Sequence, residues 1–187
     1  MKYILSFIAS VFFTSGLVAQ QELVYFNHTQ VNFLIGEESE DSQQKAVVPS
    51  FQTFNGIRSG ANWGIGLGIG VEPFEYKVYP VFAGIYYFFS NVKYNPYLTF
   101  KAGYVFSNSS KKFNNYGYYG DFKHQGGLMV IPEFGFRFKM FDYEMTLSGG
   151  YRFQRLKSKI NQGNSTNYIY EHQVDYNRVS FSLGLLF

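Results

Sequence analysis

Cysteine is absent from this 187-residue chain. Its absence excludes disulfides, a thiolate nucleophile, thiolate metal sites and lipid attached to a cysteine. Charge is scarce, at 16% of residues, and nearly balanced at a net +3. So small an excess gives no reason to expect nucleic acid or an acidic polymer as a partner. Beyond the first thirteen residues there is no apolar run near the ~20 residues that a membrane-crossing helix needs. No internal repeat and no second domain are visible.

The N-terminus reads as a targeting segment. Lys2 is followed by an apolar stretch from Tyr3 to Phe13 and then by smaller residues ending Leu17-Val18-Ala19-Gln20. This is the layout of a secretory signal cleaved after Ala19. It is too short to be an anchor helix. Residues 1–19 are therefore expected to leave, and 20–187 to form one domain. An exported domain without disulfides must find its stability elsewhere, and a closed, hydrogen-bonded barrel in lipid provides it.

What the chain has is rings and glycine. Aromatics are 21% of residues, with 22 Phe and 17 Tyr beside 19 Gly. These are strand-forming side chains separated by very small ones. The last ten residues show the pattern most cleanly: Val179, Phe181, Leu183, Leu185 and Phe187 alternate with Arg178, Ser180, Ser182, Gly184 and Leu186. A period of two is a strand with unlike faces. Eight such segments are predicted, at Val24–Ile35, Ala46–Ile57, Trp63–Val71, Val78–Phe89, Tyr97–Phe106, Gly126–Phe138, Tyr143–Gln154 and Val174–Phe187. Connections at 58–62, 90–95 and 139–142 are short. Those at 36–45, 107–125 and 155–173 are longer and read as loops, whereas the link at 72–77 is short for its side.

The distribution of bulk between the two faces decides the class. Trp63, Ile65, Leu67, Ile69 and Val71 alternate with Gly64, Gly66, Gly68 and Gly70. Leu98, Phe100, Ala102, Tyr104 and Phe106 alternate with Tyr97, Thr99, Lys101, Gly103 and Val105. Leu128, Val130, Pro132, Phe134, Phe136 and Phe138 alternate with Met129, Ile131, Glu133, Gly135 and Arg137. Met145, Leu147, Gly149, Tyr151 and Phe153 alternate with Glu144, Thr146, Ser148, Gly150, Arg152 and Gln154. One face is bulky and uncharged; the other is small or charged.

The bore of an eight-stranded barrel is only just wide enough for side chains. The bulky face is therefore predicted to point outward, into lipid. A soluble barrel with a greasy cavity would put four alternating glycines on its wet face, which makes a poor strand. The first, second and fourth segments do not show which face is which. Pro132 calls for a bulge, because a closed barrel has no free edge to excuse a missing N–H. Tyr94, Tyr97, Phe106, Phe141 and Tyr143, at segment ends, suit interfacial girdles.

In its leader, its eight alternating segments and its terminal Phe187, the chain resembles the small outer-membrane barrels of the OmpA-transmembrane-domain or OmpX type. The resemblance implies an all-β, eight-stranded, antiparallel up-and-down transmembrane barrel in the outer membrane of a Gram-negative bacterium, with both termini periplasmic. It implies a lipid bilayer and lipopolysaccharide as surroundings. It also implies a barrel-assembly machinery that reads the last strand, with Phe181 and Phe187 as the signal. No peptidoglycan-binding tail is expected after that strand. A relative of this fold deacylates lipopolysaccharide with a Ser-His-acid triad whose His and Ser are two apart on one strand. Here His28 is followed by Thr29-Gln30 and His124 by Gln125-Gly126, so the spacing fails and no enzyme is expected. The three histidines, with His172, are too scattered for a metal site, and no cofactor is expected.

Three groups of residues remain as candidates. Lys101, Glu133, Arg137, Glu144, Arg152 and Arg178, with Glu72 near the rim, fall on the inward face. Charges there survive only when paired, which predicts a luminal ion-pair network, with a narrow gated ion path as the alternative. Glu133 and Glu144 read as salt-bridge partners, not as an acid–base pair. The acidic run Glu37-Glu38-Ser39-Glu40-Asp41 lacks the spacing of a calcium loop and reads as solvated. Lys111, Lys112, Tyr116, Tyr118 and Tyr119, with Asn167, Tyr168 and Tyr170, combine residue types found in adaptable binding surfaces. The function expected is structural or adhesive, through the outer loops toward lipopolysaccharide, a surface ligand or an extracellular protein, with a low-conductance pore as the alternative.

Overall fold

A strand that alternates large and small side chains sends all the large ones to one face. The computed structural model describes residues 22–38, 42–60, 62–73, 77–89, 95–107, 110–115, 118–162 and 168–187, and gives only the backbone course of 37–38, 42–46, 110–115, 118–124, 158–162 and 168–172. The expected leader, 1–19, lies outside the described residues. The described residues form ten strands: β1 (Leu23–Glu38), β2 (Ser42–Ser59), β3 (Trp63–Pro73), β4 (Lys77–Phe88), β5 (Pro96–Ser107), β6 (Ser110–Asn115), β7 (Tyr118–Gln125), β8 (Gly127–Met140), β9 (Tyr143–Gln162) and β10 (Tyr168–Leu186).

The strands make an eight-stave closed wall. The order β10-β1-β2-β3-β4-β5-β8-β9 returns to β10 through a β9–β10 ladder, and every pairing is antiparallel. β6 and β7 prolong the β5 and β8 staves, and β7 pairs on along β9 from Gln125↔Lys157 to Gly120↔Gln162. At the seam, β1 and β10 pair from Gly36↔Arg178 to His28↔Leu186. Two last bonds join Asn27 and Phe187, N–H to carbonyl in each direction, at 3.0 and 2.9 Å.

The staves outrun the expected segments. β2, β9 and β10 span 18, 20 and 19 residues, against the ~9–11 that cross a bilayer at a tilt. Much of 36–45, 107–125 and 155–173, expected as loops, is therefore paired strand. The signal was missing because a sheet wet on both faces has no greasy side to set a period. Between β7 and β8 the register on β9 slips by one residue, from Gln125↔Lys157 to Met129↔Gln154. Gly126 and Gly127 sit at this bulge, where a Cβ would strike the carbonyls of Val105 and Arg155.

Pro132 differs from expectation. No bulge forms there. The β5 ladder runs through Phe100↔Pro132 without a shift, and the β8–β9 pairing simply lapses between Val130↔Phe153 and Glu133↔Gly150 with its register unchanged. Pro80 does the same between β3 and β4, where pairs lapse between Ile69↔Val81 and Glu72↔Val78. A missing N–H opens the ladder on one side only and leaves the other intact.

The bulky face points outward on every stave. Leu67 and Leu128 are 67% and 60% exposed, and Phe100, Phe134 and Phe181 face the same way. The parities unreadable in the sequence also resolve. β1 turns Val31, Phe33 and Ile35 outward, β2 turns out Val47, Phe51 and Ile57, and β4 turns out Tyr79, Val81 and Ile85. No charge interrupts this belt among the described residues; the first charges on the outer face, Lys77, Arg155 and Asp175, lie at or beyond its rim. An uncharged belt of this height is the surface of a barrel in hydrocarbon. Phe106, Phe141 and Tyr143 stand outward near its rims. Tyr97 does not: it is buried in the bore, lodged over the bare Cα of Gly135. Tyr94 lies outside the described residues.

Leu67→Arg is expected to lower unfolding stability in lipid vesicles by ~2–4 kcal/mol, the cost of a guanidinium near midplane. Urea titration of the reconstituted barrel checks this, and Lys77→Arg at the rim is expected to be neutral.

Candidate functional site

Inward positions of the eight staves meet along one axis, so the bore is the place to look for chemistry. Its half next to the short turns is filled with rings. Phe26, Phe54, Phe82, Tyr86, Phe88 and Tyr97 are all buried. Phe54 and Tyr86 lie 4.8 Å apart between centroids, Phe26 and Tyr86 5.5 Å, and Phe26 and Phe88 5.6 Å. Glycine makes the room: a Cβ at Gly56 or Gly64 would come within 2.8 Å of the Phe26 ring. The inward face thus holds a compact aromatic core as well as the glycines and ions expected of it.

Above the rings the bore turns polar. His28 bridges the core to the next layer, its Nδ1 3.0 Å from the Tyr86 hydroxyl and its Nε2 2.8 Å from the Thr146 hydroxyl. A neutral imidazole satisfies both, one nitrogen donating and the other accepting. Lys101 donates to Glu133 Oε2 at 2.7 Å, with both side chains almost wholly buried. The Gln30 amide donates to Asn32 at 2.6 Å and reaches Glu133 at 3.4 Å. Ser182 donates to Asn32 from across the seam.

Higher still, Arg152 holds Glu72 in a two-pronged pair, with Nη2 2.8 Å from Oε2. Ser50 donates to the same carboxylate at 2.9 Å. Such a fork fixes direction as well as charge. Glu72, one residue from the end of β3, is wholly buried. Arg178, opposite Arg152 on the β9–β10 ladder, is also buried, its guanidinium 5.1 Å from the Tyr176 ring centre. Val78, Val105, Met129 and Leu156 are also wholly buried and extend the apolar core.

Arg137 and Glu144 form a third pair, 3.0 Å apart and partly exposed, at the short-turn mouth. The Arg137 guanidinium also lies 4.7 Å from the Phe88 ring centre, and Arg58 lies 5.7 Å from the same ring. Glu133 and Glu144 therefore serve different cations. The six charges picked out by sequence all line the bore or its mouth; five of them, with Glu72, make three separate ion pairs, and Arg178 lies over the Tyr176 ring. Sequence reasoning missed the ring cluster and His28's bridging place. The glycine run on β3 was a usable signal, since glycine inside a narrow bore leaves space that something must fill.

The other candidates lie elsewhere. The backbones of Lys111 and Lys112 run in β6 and those of Tyr118, Tyr119 and His124 in β7, on the sheet above the belt. Tyr116, Asn167 and residues 39–41 of the acidic run lie outside the described residues. Tyr168, Tyr170 and His172 are in β10, where only their backbone is described. Among the described residues, no group of three or more His, Asp or Glu is placed to hold a metal ion. Phe181 and Phe187 are 53% and 60% exposed on the outer face of β10, and the Tyr143 ring meets Phe187 edge-on.

Arg155 and Asp175 are cross-strand neighbours above the belt, joined by two 2.8 Å bonds. The hydrogen bonds from Arg155 hold the Asp175 carboxyl below its ordinary value. A group lowered in this way contributes above its unfolded value, and the contribution fades as pH falls through the folded one.

No family model matches the chain, and no curated protein matches it in sequence. Solved structures do. The outer membrane protein OprG from Pseudomonas aeruginosa matches with a TM-score of 0.57 at 15% identity, over 87% of this chain and 95% of that one. The N-terminal β-barrel domain of Pseudomonas aeruginosa OprF matches at 0.49 and 11% identity, over 89% and 98%. Neisserial surface protein A matches at 0.48 and 12%, over 88% and 99%. The similarity to OprG is one of fold: this chain is an eight-stranded, all-antiparallel outer-membrane-type β-barrel.

Two measurements check the site. Lys101→Met alone strands the Glu133 charge and is expected to cost ~3–5 kcal/mol, whereas Lys101→Met with Glu133→Leu recovers most of it; denaturation in detergent micelles reads both. By carboxyl NMR, Asp175 is expected to titrate below ~3.9 and to move up toward it in Arg155→Ala.

Proposed function

We propose that this chain is a non-enzymatic barrel of a Gram-negative outer membrane, with its bore sealed and its work done by the surface above the membrane. The observation that carries this reading is the filled bore. Aromatic rings pack together in one half, and in the other the Lys101–Glu133 and Arg152–Glu72 pairs are buried, which supports a closed path for solutes. The uncharged belt supports residence in a bilayer, and the OprG-like fold supports the outer membrane as that bilayer. On this reading the short turns and both strand termini face the periplasm. The assembly machinery reads β10 through Phe181 and Phe187, whose rings are exposed on its outer face.

The interaction surface is the sheet that rises past the belt. There β6, β7, β9 and β10 continue as one paired sheet. A hydrogen-bonded platform holds side chains in place at less entropic cost than a loose loop, which suits contact with lipopolysaccharide sugars and phosphates or with a surface ligand.

Two experiments test this. In planar bilayers the wild-type barrel is expected to be silent, and a Phe54→Ala, Tyr86→Ala double variant to leak. Steady, ion-selective openings of the wild type, altered by Arg137→Ala, overturn the sealed reading in favour of a pore. Deleting 111–120 is expected to reduce binding to vesicles containing lipopolysaccharide at least several-fold while heat-modifiable gel mobility is kept; unchanged binding removes the platform.

A further inference from the structure

One glycine of the wall makes room for nothing in the protein. Each other glycine described in the eight staves would bring a Cβ within 3.0 Å of a neighbouring atom; at Gly149 the nearest atom is 3.9 Å away. Gly149 is on the outward face of β9, between Leu147 and Tyr151, which are 55% and 46% exposed. It therefore interrupts a bulky face within the belt. A glycine inside a strand weakens it, and it marks a place that something else approaches closely.

Gly149 ends a groove of about 970 Å³ in the outer wall, with a mostly apolar lining. The groove follows one row of ladder partners, Trp63↔Tyr87↔Leu98↔Phe134↔Gly149, across β3, β4, β5, β8 and β9. Phe100 and Pro132, themselves partners, run beside it. The rings pack on one another: Trp63 and Tyr87 are 4.7 Å apart between centroids, Tyr87 and Phe89 4.8 Å, Phe134 and Phe136 5.0 Å. The row climbs from rim to interior. Trp63 opens β3 and Tyr87 lies one residue from the end of β4, both at the short-turn rim, whereas Phe134 and Gly149 lie well inside β8 and β9. Its two ends differ in chemistry. At the rim the Tyr87 hydroxyl accepts from Asn62 at 3.4 Å, and Trp63 carries an indole N–H; the inner end is bare backbone between apolar side chains. At a strand spacing of ~4.8 Å, the row is about 19 Å long.

We propose that this groove holds one acyl chain of a phospholipid from the leaflet on the short-turn side, with the head near Trp63 and Tyr87 and the chain laid along the row to Gly149. The inference rests on the membrane reading above. The graded chemistry fits an amphiphile: rings with a polar tip sit at headgroup depth, and the glycine sits in hydrocarbon. The length fits too, since one leaflet of hydrocarbon is ~15 Å deep and a groove of ~19 Å on a slant spans it. The shape fits a single chain. A second barrel presents a convex wall, which bridges a groove without entering it, and a helix with its side chains is ~10 Å across. Open space over Gly149 forfeits dispersion contacts, and a chain seated there restores them. Gripped on several sides, it exchanges more slowly than lipid around the rest of the belt.

Native mass spectrometry reads the occupant. The barrel is loaded with palmitoyl-oleoyl phosphatidylethanolamine and washed in detergent until loosely held lipid is gone; one retained lipid per barrel is expected. Gly149→Phe, whose ring has room to enter the groove, is expected to cut the retained fraction about tenfold. Val31→Phe, on the outer face of β1 away from the groove, is expected to leave it unchanged. Trp63 is the only tryptophan, so the same lipid brominated along its chains is expected to quench Trp63 emission in washed wild type and not in washed Gly149→Phe. Heat-modifiable mobility shows that each barrel has formed. Where Gly149→Phe does not fold, Leu98→Phe, which fills the middle of the row, takes its place. No retained lipid in the wild type, a ladder of several lipids, or retention that the filling variants leave unchanged or that Val31→Phe lowers equally overturns the groove while leaving the membrane reading intact. A mature chain that stays monodisperse in detergent-free buffer overturns the membrane reading, and the groove with it.

Discussion

The hydrogen-bonded seam between β1 and β10 is the constraint on which the rest depends. In hydrocarbon an unpaired backbone N–H or C=O has no water to turn to, so the wall must close on itself. Closure reaches the last residue, with Asn27 and Phe187 bonded both ways. Once the wall closes at eight staves, its bore is fixed at about the width of the side chains that fill it. Which side chains enter, and which are left outside, then follows from size and charge.

Two kinds of matter fill that bore, and they answer to different forces. The rings around Tyr86 gain from close contact and from edge-to-face geometry, and glycines opposite them provide the space. The charges above them gain little net stability, because desolvation offsets attraction; what they cannot tolerate is the loss of a partner. Lys101 with Glu133 and Arg152 with Glu72 therefore act as locks on register. The first joins the neighbouring staves β5 and β8 and the second joins β9 to β3 across the bore, and a slip of one residue would turn one member of a pair toward lipid.

The parity of β3, β5, β8, β9 and β10 was legible because one face of each is glycine, small polar or charged. β4 was not: it is apolar on both faces, since Phe82, Tyr86 and Phe88 belong to the ring core while Val81 and Ile85 face lipid. Tyr97 read as an interfacial ring for the same reason, a large apolar group whose side of the wall depends on a glycine on the neighbouring strand. The inward charges were legible as a set, because each sits out of phase with the bulky positions. Their pairing was not, since Arg152 meets Glu72 only through the order of staves and their stagger. The sheet above the belt was least legible, because in water both faces tolerate polar residues and the period of two dissolves.

The same logic separates the two polar groupings of this barrel. Inside, side chains can meet across the bore, as Arg152 and Glu72 do, yet Arg58 Nε, Arg137 Nε, Arg152 Nε and Gln154 Nε2 are buried with no hydrogen-bond partner among the described residues. Outside, convergence is impossible on a convex surface, and polar groups can be matched only by neighbours on the same or adjacent strand. Asn27, Thr29, Thr53 and Asn55 match one another in this way across β1 and β2. The wall thus sorts its polar groups by side: ions are confined to the bore and its ends, and the belt admits only short uncharged groups bonded to their strand neighbours.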